Sequence, residues 1–424
     1  MTKLSDSHPA LCREVLRFPG GIHAVRVAGE GSYRVILKLP PSYILPAKVN
    51  RGFRIYVVPV SVGESATVGL MSAFIDDADC PLFSWRLLDE GTETADLVYA
   101  LLRPEVLVHI FDEHNREFLG YRARLEVPLM ARVRLEHAAF VVPDHAQAHA
   151  AQEMAEVWFA LRGEQDDCEA IRVSFGQPLF AEDLPISDDP AASPGFRGDP
   201  GPGFTMLERE QPGPFQEIDI ILALRRVYAA EQIFHGPRRF YDREEIADVV
   251  VITDYACLIV QAKDSPNTPG TLKRTLARKR AKSISMVTEA LGQARGAINY
   301  LHRYRPLTML VDGEAVTIDL AGRQIVSLVV VRELFRDAYA EYSKALFGFL
   351  GDVGLPCIAL DIAELHEFTT FCPNEAAFLG AYFEVFDMAQ ELGEFPRLRF
   401  GLRDVEALWA GSSAASDIPD DVAD

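Results

Sequence analysis

Cysteine is scarce and scattered: Cys12, Cys80, Cys168, Cys257, Cys357 and Cys372 include no CxxC pair. That argues against a zinc ribbon or a disulfide framework and suits a reducing compartment. Long apolar runs are missing too. None approaches the roughly eighteen residues that a membrane helix needs, and the polar stretch 1–14 holds no apolar core of signal-peptide length. A cytoplasmic protein with no membrane contact is expected. There is no G-x-x-x-x-G-K-[ST] loop to cradle a nucleoside triphosphate and no G-x-S-x-G elbow to present a serine nucleophile. No internal repeat is visible.

What is present is a chain of 424 residues, 49% hydrophobic and 25% charged, the balance of a globular protein with room for two domains and linkers. Its net charge of −20 is not that of a typical nucleic-acid binder, but the total hides a local reversal. Between 271 and 305 the basic residues include Lys273, Arg274, Arg278, Lys279, Arg280 and Lys282, and the only acid is Glu289. A basic stretch in an acidic chain marks a local electrostatic footprint for phosphates, or else a solvated helix face.

Residues 1–143 read as a β-rich recognition or regulatory domain, a sandwich or small barrel. The apolar runs 33–39, 53–60, 68–75 and 106–111 are separated by turn clusters, and a hairpin loop at 112–115 leads into 118–125. Residues 144–214 read as a helix over 145–162 capped by Asp144, a strand near 170–175, and a flexible linker rich in Asp, Pro, Gly and Ser from 187. His145, His149 and Glu153 share a face of that helix, but without a further ligand the pattern is more that of a surface helix than of a zinc site. From 215 to 409 helices alternate with apolar strands, which predicts an α/β domain with a mixed central sheet flanked by helices. The tail 410–424 is small, acidic and expected to be disordered.

The segment that bears on chemistry is 244–263. Two β-branched runs, 249–252 and 256–260, flank a break at Asp254-Tyr255, as in a hairpin covered on both faces. A turn centred there sets Thr253 opposite Ala256 and Asp248 opposite Gln261, with Cβ atoms about 4.5–5.5 Å apart. Strand alternation puts Lys263 on the face of Gln261. Asp248, the Gln261 amide oxygen and the Ala262 carbonyl would then form the protein side of a magnesium shell, with manganese as a substitute and water filling the rest. Such an ion polarises a phosphate and acidifies water. Lys263 would hold that water or neutralise charge on the phosphorane. The bland alternative is polar residues at the end of buried strands, with Lys263 in a salt bridge.

Asp248 followed, after twelve residues, by Gln261-x-Lys263 resembles the PD-(D/E)XK phosphodiesterase superfamily, and the glutamine form is similar to the Mrr-like restriction endonucleases. The resemblance covers roughly 208–365. It implies a metal-dependent nuclease acting most readily on DNA, in restriction or phage defence. It also implies a helix before the hairpin whose acid faces the metal: Glu217 takes that place, with Glu245 as competitor. On the helix after the hairpin, Gln293 is the expected polar residue near the site. Lys273 to Lys282 would contact phosphates without sequence preference. A homodimer would cut both strands, and the N-terminal domain would choose the target or bind a protein partner. The chain departs from the pattern in Ala247, where proline is common, and in its neutral glutamine, which lowers the site's charge. A nuclease fold that binds nucleic acid or a protein partner without cutting is the alternative, and an RNA-directed nuclease a third reading.

Overall fold

Short β-branched runs build one curled sheet in the first part of the chain. The computed structural model describes residues 3–27, 32–77, 80–188, 195–201 and 203–398. The chain separates into two compact units, with the division between Leu184 and Pro185. In the first unit the strands are β1 (Gly21–Arg26), β2 (Tyr33–Lys38), β3 (Gly52–Val62), β4 (Ser65–Phe74), β5 (Leu82–Leu87), β6 (Glu105–Phe111), β7 (Glu117–Glu126) and β8 (Ile171–Pro178). They lie in the order β1-β2-β6-β7-β8-β3-β4-β5, and β2–β6 is parallel.

The two edges of this sheet meet. Arg86 on β5 donates to the Ile22 carbonyl at 2.9 Å and to His23 Nδ1 at 2.6 Å. An arginine only donates, so Nδ1 is the acceptor and Nε2 carries the proton, given to Pro19 O at 3.1 Å. Burial, and then Arg86, hold the His23 pKa well below the ordinary imidazole value. A neutral histidine thus closes the seam of a nearly closed sheet, in keeping with the barrel expected from the strand pattern. Helices at Pro41–Val49, Thr92–Leu101 and Leu129–His137 were not expected. Pro46 interrupts the first in sequence, and none is long enough to show a clear apolar stripe.

The helix and strand expected in the connecting segment belong to this unit. The helix His145–Ala160, capped by Asp144 and Gln147, lays Ala151, Ala155 and Phe159 on Tyr56, Val58 and Val60. β8 sits between β3 and β7. At the β3–β8 contact Gly52 has φ +153°, and a Cβ would stand 2.1 Å from the Val173 carbonyl oxygen. Gly52→Ala is therefore expected to cost about 1–3 kcal/mol, read as a lower urea midpoint with an unchanged slope.

In the second unit β9 (Ile186–Asp188) pairs with β10 (Gly203–Thr205). There follow β11 (Ile233–His235), β12 (Arg238–Arg239), β13 (Val249–Ile252), β14 (Ala256–Lys263), β15 (Leu307–Val311), β16 (Glu314–Ile318), β17 (Gln324–Val331) and β18 (Cys357–Asp361). The central sheet is β11-β13-β14-β17-β18. Its first three strands are antiparallel, and β14, β17 and β18 run parallel. This is the mixed sheet expected. The helix Leu276–Arg303, about 42 Å long, provides the crossover from β14 to β17 that parallel pairing requires. It buries Val287, Ala290, Leu291, Ala294, Ile298 and Leu301. The helix Gly213–Leu224 also packs on β14, and β12, β15 and β16 form a small separate sheet.

Within the expected linker 187–214, residues 187–188, 195–201 and 203–214 are described, and two of them pair with distant segments. Arg197 pairs with β11 through N–H to Ile233 O and O to His235 N–H. Arg209 and Asn267 exchange backbone hydrogen bonds at 3.0 and 2.8 Å. The Arg209 guanidinium meets Asp219 at 2.9 Å with both side chains buried. Its Asp/Pro/Gly composition is that of a linker, but its partners are distant in sequence. Removing one member of a buried pair leaves an uncompensated charge. Arg209→Ala should therefore cost about 3–5 kcal/mol in denaturant unfolding. The expected tail, 410–424, and the end of the expected nuclease domain, 399–409, lie outside the described residues.

Candidate functional site

Thr253 makes the turn that sets the hairpin. Its Oγ1 accepts from Tyr255 and Ala256 N–H at 3.1 and 3.0 Å, and its own N–H reaches Ala256 O, a side-chain turn that fixes loop length and therefore register. Val249 pairs with Val260 and Ile252 with Cys257. The ladder ends at the Val249 pair; continued by one residue it would set Asp248 opposite Gln261, the pairing expected from the sequence. The Asp248 carboxylate accepts from Ala262 N–H at 2.6 Å, and its carbonyl accepts from Gly236 N–H. Asp248 is thus pinned between the ends of β11 and β14. Gln261 is buried at 2% exposure. Lys263, two residues on, directs Nζ to Glu289 Oε1 at 3.1 Å.

Glu217 enters from the helix Gly213–Leu224 and accepts from His235 Nε2 at 2.8 Å. The other ring nitrogen of His235 lies 3.2 Å from Gly198 O. Both nitrogens face acceptors, as in an imidazolium. Burial works against that charge, but the hydrogen bond and charge of Glu217 raise the His235 pKa. Gln216, the preceding residue, donates to Lys263 O at 3.3 Å. Its Oε1 is buried without a hydrogen-bond partner among the described residues.

The electrostatics bind these groups into one cluster. Burial lifts the Asp248 carboxyl to about 6; the Ala262 N–H opposes this, Glu217 and Glu245 reinforce it, and Lys263 opposes it. The Glu245 carboxyl is raised by partial desolvation and then by Glu217, against Arg238, His235 and Lys263. Asp248, Glu217 and Glu245 thus act on one another electrostatically, and the lysine that offsets them is paired with Glu289.

A divalent cation fits that chemistry. The strained carboxylate Asp248, the orphaned Gln216 oxygen and the nearby Glu217 are hard oxygen donors, which magnesium prefers. Among the described residues no three His, Cys, Asp or Glu side chains are grouped as ligands of one ion. Magnesium needs only one or two carboxylates, with water and substrate oxygens completing its shell.

The other expected residues divide. Lys273, Arg274, Arg278 and Lys282 are exposed, while Lys279 and Arg280 are half-buried. Arg280 is committed to an ion pair with Asp337, so it is not a free phosphate contact. Gln293 is exposed, one turn beyond Glu289, and the side chain of this helix that pairs with Lys263 is Glu289. Its signal was available as the single acid in the basic segment. Gln216 and His235 were not foreseen: a buried glutamine has no pattern of its own, and β11 is too short to read. No protein-family model matches the chain, and no curated protein matches it either.

Proposed function

We propose that the second unit is a metal-dependent nuclease of the PD-(D/E)XK type that hydrolyses phosphodiester bonds, DNA being the expected substrate. The observation that carries this reading is the hydrogen bond from the Ala262 N–H to the Asp248 carboxylate at the open end of the hairpin, within electrostatic reach of Lys263. The order helix, β11, β13, β14, helix, β17 supports it.

In this reading Asp248, Glu217 and the Ala262 carbonyl hold a magnesium or manganese ion, with Gln216 and Gln261 as further oxygen donors. The ion, when bound, supplies Lewis acidity to a phosphate and a nearby water. Lys263 neutralises negative charge as it develops on the phosphate, and Glu289 fixes the height of its ammonium. His235 orients Glu217 and must share it with the ion. The exposed bases at the start of the long helix hold the phosphate backbone: no acid lies in its first turn, so both the helix dipole and the side chains there favour an anion. A role in restriction or phage defence, a homodimer cutting both strands, and a first unit that selects the target or a protein partner are the analogies that follow.

Manganese titration followed by electron paramagnetic resonance tests the metal site without relying on turnover. Wild-type protein should bind manganese, and Asp248→Asn should bind it at least about tenfold more weakly. Equal binding by both would remove Asp248 from the site. A second reading is favoured by the neutral Gln261 and by the protein partners already held by Glu217 and Lys263: a nuclease fold that binds nucleic acid without cutting it.

A further inference from the structure

Phe240 and Tyr241 are 44% and 50% exposed. Isolated exposed rings are ordinary, but these are neighbours in a contiguous aromatic cluster. Phe240 meets Tyr304 edge-on at 5.4 Å between centroids, Tyr241 lies 5.7 Å from Tyr304, and Tyr300 lies 4.8 Å from Tyr304. The base of the cluster is fixed, because Tyr300 donates to Thr308 O at 2.6 Å. The tip is fixed by a tight turn. Arg239 N–H reaches Glu244 O, Arg243 N–H reaches Arg239 O, and Arg243 takes a left-handed φ of 61°.

The surroundings are basic. Asp242 and Glu244 are both engaged by Arg239. Arg238, whose charge acts on the exposed Glu245, and Arg243 are exposed on the turn, and Arg303 and Arg305 are exposed on either side of Tyr304 in the chain, so five arginines stand against three acids. In a chain of net charge −20, a surface that combines rigid, half-exposed rings with surplus arginine is chemically specific. Rings offer faces to bases, and guanidinium groups hold phosphates. A duplex hides its base faces in the stack, so the matching ligand is an unpaired strand. The same turn runs through Glu245 and Ile246 into Asp248, with Ile246 N–H held by Pro237 O at 2.8 Å.

We infer that the Phe240–Tyr241 turn is a stacking platform that binds an unpaired nucleotide strand and leads it to the Asp248 corner. This rests on the nuclease reading for the fate of the strand, but not for its binding. At the platform, bases lie on Phe240 and Tyr241 while Arg303 and Arg305 hold the flanking phosphates. Unpaired ends, bubbles or single strands are then the substrates, rather than intact duplex.

The test uses full-length protein carrying Lys263→Ala, in EDTA, so that no cleavage intervenes. Its ligands are fluorescent oligothymidylate, oligouridylate, an abasic strand of equal length and a blunt duplex. Phe240→Leu with Tyr241→Leu removes the stacking faces while keeping apolar bulk, and circular dichroism and melting verify the fold. Base-bearing strands should bind the double variant roughly fivefold to a hundredfold more weakly for each ring lost, with abasic binding unchanged. Arg303→Ala with Arg305→Ala should instead weaken both strands and flatten the salt dependence. Tight binding of either the deoxy or the ribo strand supports the platform and names its sugar. An unchanged affinity in the leucine variant, an equal loss on the abasic strand, equal binding of blunt duplex, or no strand binding overturns it. Stacking without any cleavage by the unsubstituted protein would overturn the nuclease reading alone.

Discussion

Lys263→Ala is expected to lower phosphodiester cleavage by about a hundredfold to a thousandfold, the usual loss when a preorganised electrostatic group is removed from a developing oxyanion. The ammonium is held by Glu289 at 3.1 Å, and its side chain is 19% exposed. Its Glu289 partner is 56% exposed, so the pair lies at the water boundary and the charge is partly screened. The group opposes the raised pKa of both Asp248 and Glu245, so it also moderates the repulsion between carboxylates. Because it acts on charge that appears only in the transition state, the loss should fall on kcat, with substrate affinity largely kept. Single-turnover cleavage of a labelled oligonucleotide checks the split. A loss confined to affinity would make Lys263 a phosphate anchor instead.

Asp248→Asn should produce the opposite of damage in the metal-free protein: a gain in stability. The Asp248 carboxyl is lifted from 3.8 to about 6 in the fold, with burial as the first cause. A carboxyl whose native pKa is raised favours folding fully below its unfolded pKa, and that advantage is lost as pH rises through the native value. Below pH 4 the residue is protonated in both states and causes no penalty. Between pH 4 and about 6 the penalty grows, and above about 6 the fold carries the whole cost of an ionised carboxylate, about 3 kcal/mol. Asparagine keeps an oxygen for the Ala262 N–H and has no charge to bury. The variant should therefore unfold at higher urea concentration than wild type at pH 7.5 in EDTA, and at the same concentration near pH 3.5. A destabilised variant at pH 7.5 would mean that the carboxylate is held by favourable contacts, not strained by its surroundings. Adding manganese should close the gap by stabilising only the wild type.

The hairpin was legible in sequence because two β-branched runs and the Asp254-Tyr255 break leave one sensible register, and Thr253 enforces it. The long helix was legible because Ile284, Val287, Leu291, Ala294, Ile298 and Leu301 recur every three or four residues. What escaped reading depends on contacts between distant residues. β8 completes a sheet whose neighbours lie some fifty and a hundred or more residues earlier, and composition alone carries no trace of that pairing. The Arg209–Asp219 and Arg197–β11 contacts turn an apparent linker into a strap beside Glu217 and His235. Glu217 itself was placed by resemblance, not by pattern, and its imidazole partner emerged only from the fold.

The measurement that bears most directly on this account is incubation of the purified full-length protein with supercoiled plasmid, linear duplex, single-stranded DNA and RNA, in magnesium, manganese or EDTA. The account predicts metal-dependent cutting that EDTA abolishes and that Lys263→Ala lacks, strongest on DNA with unpaired regions. Folded protein that leaves all four substrates intact with both metals would contradict it.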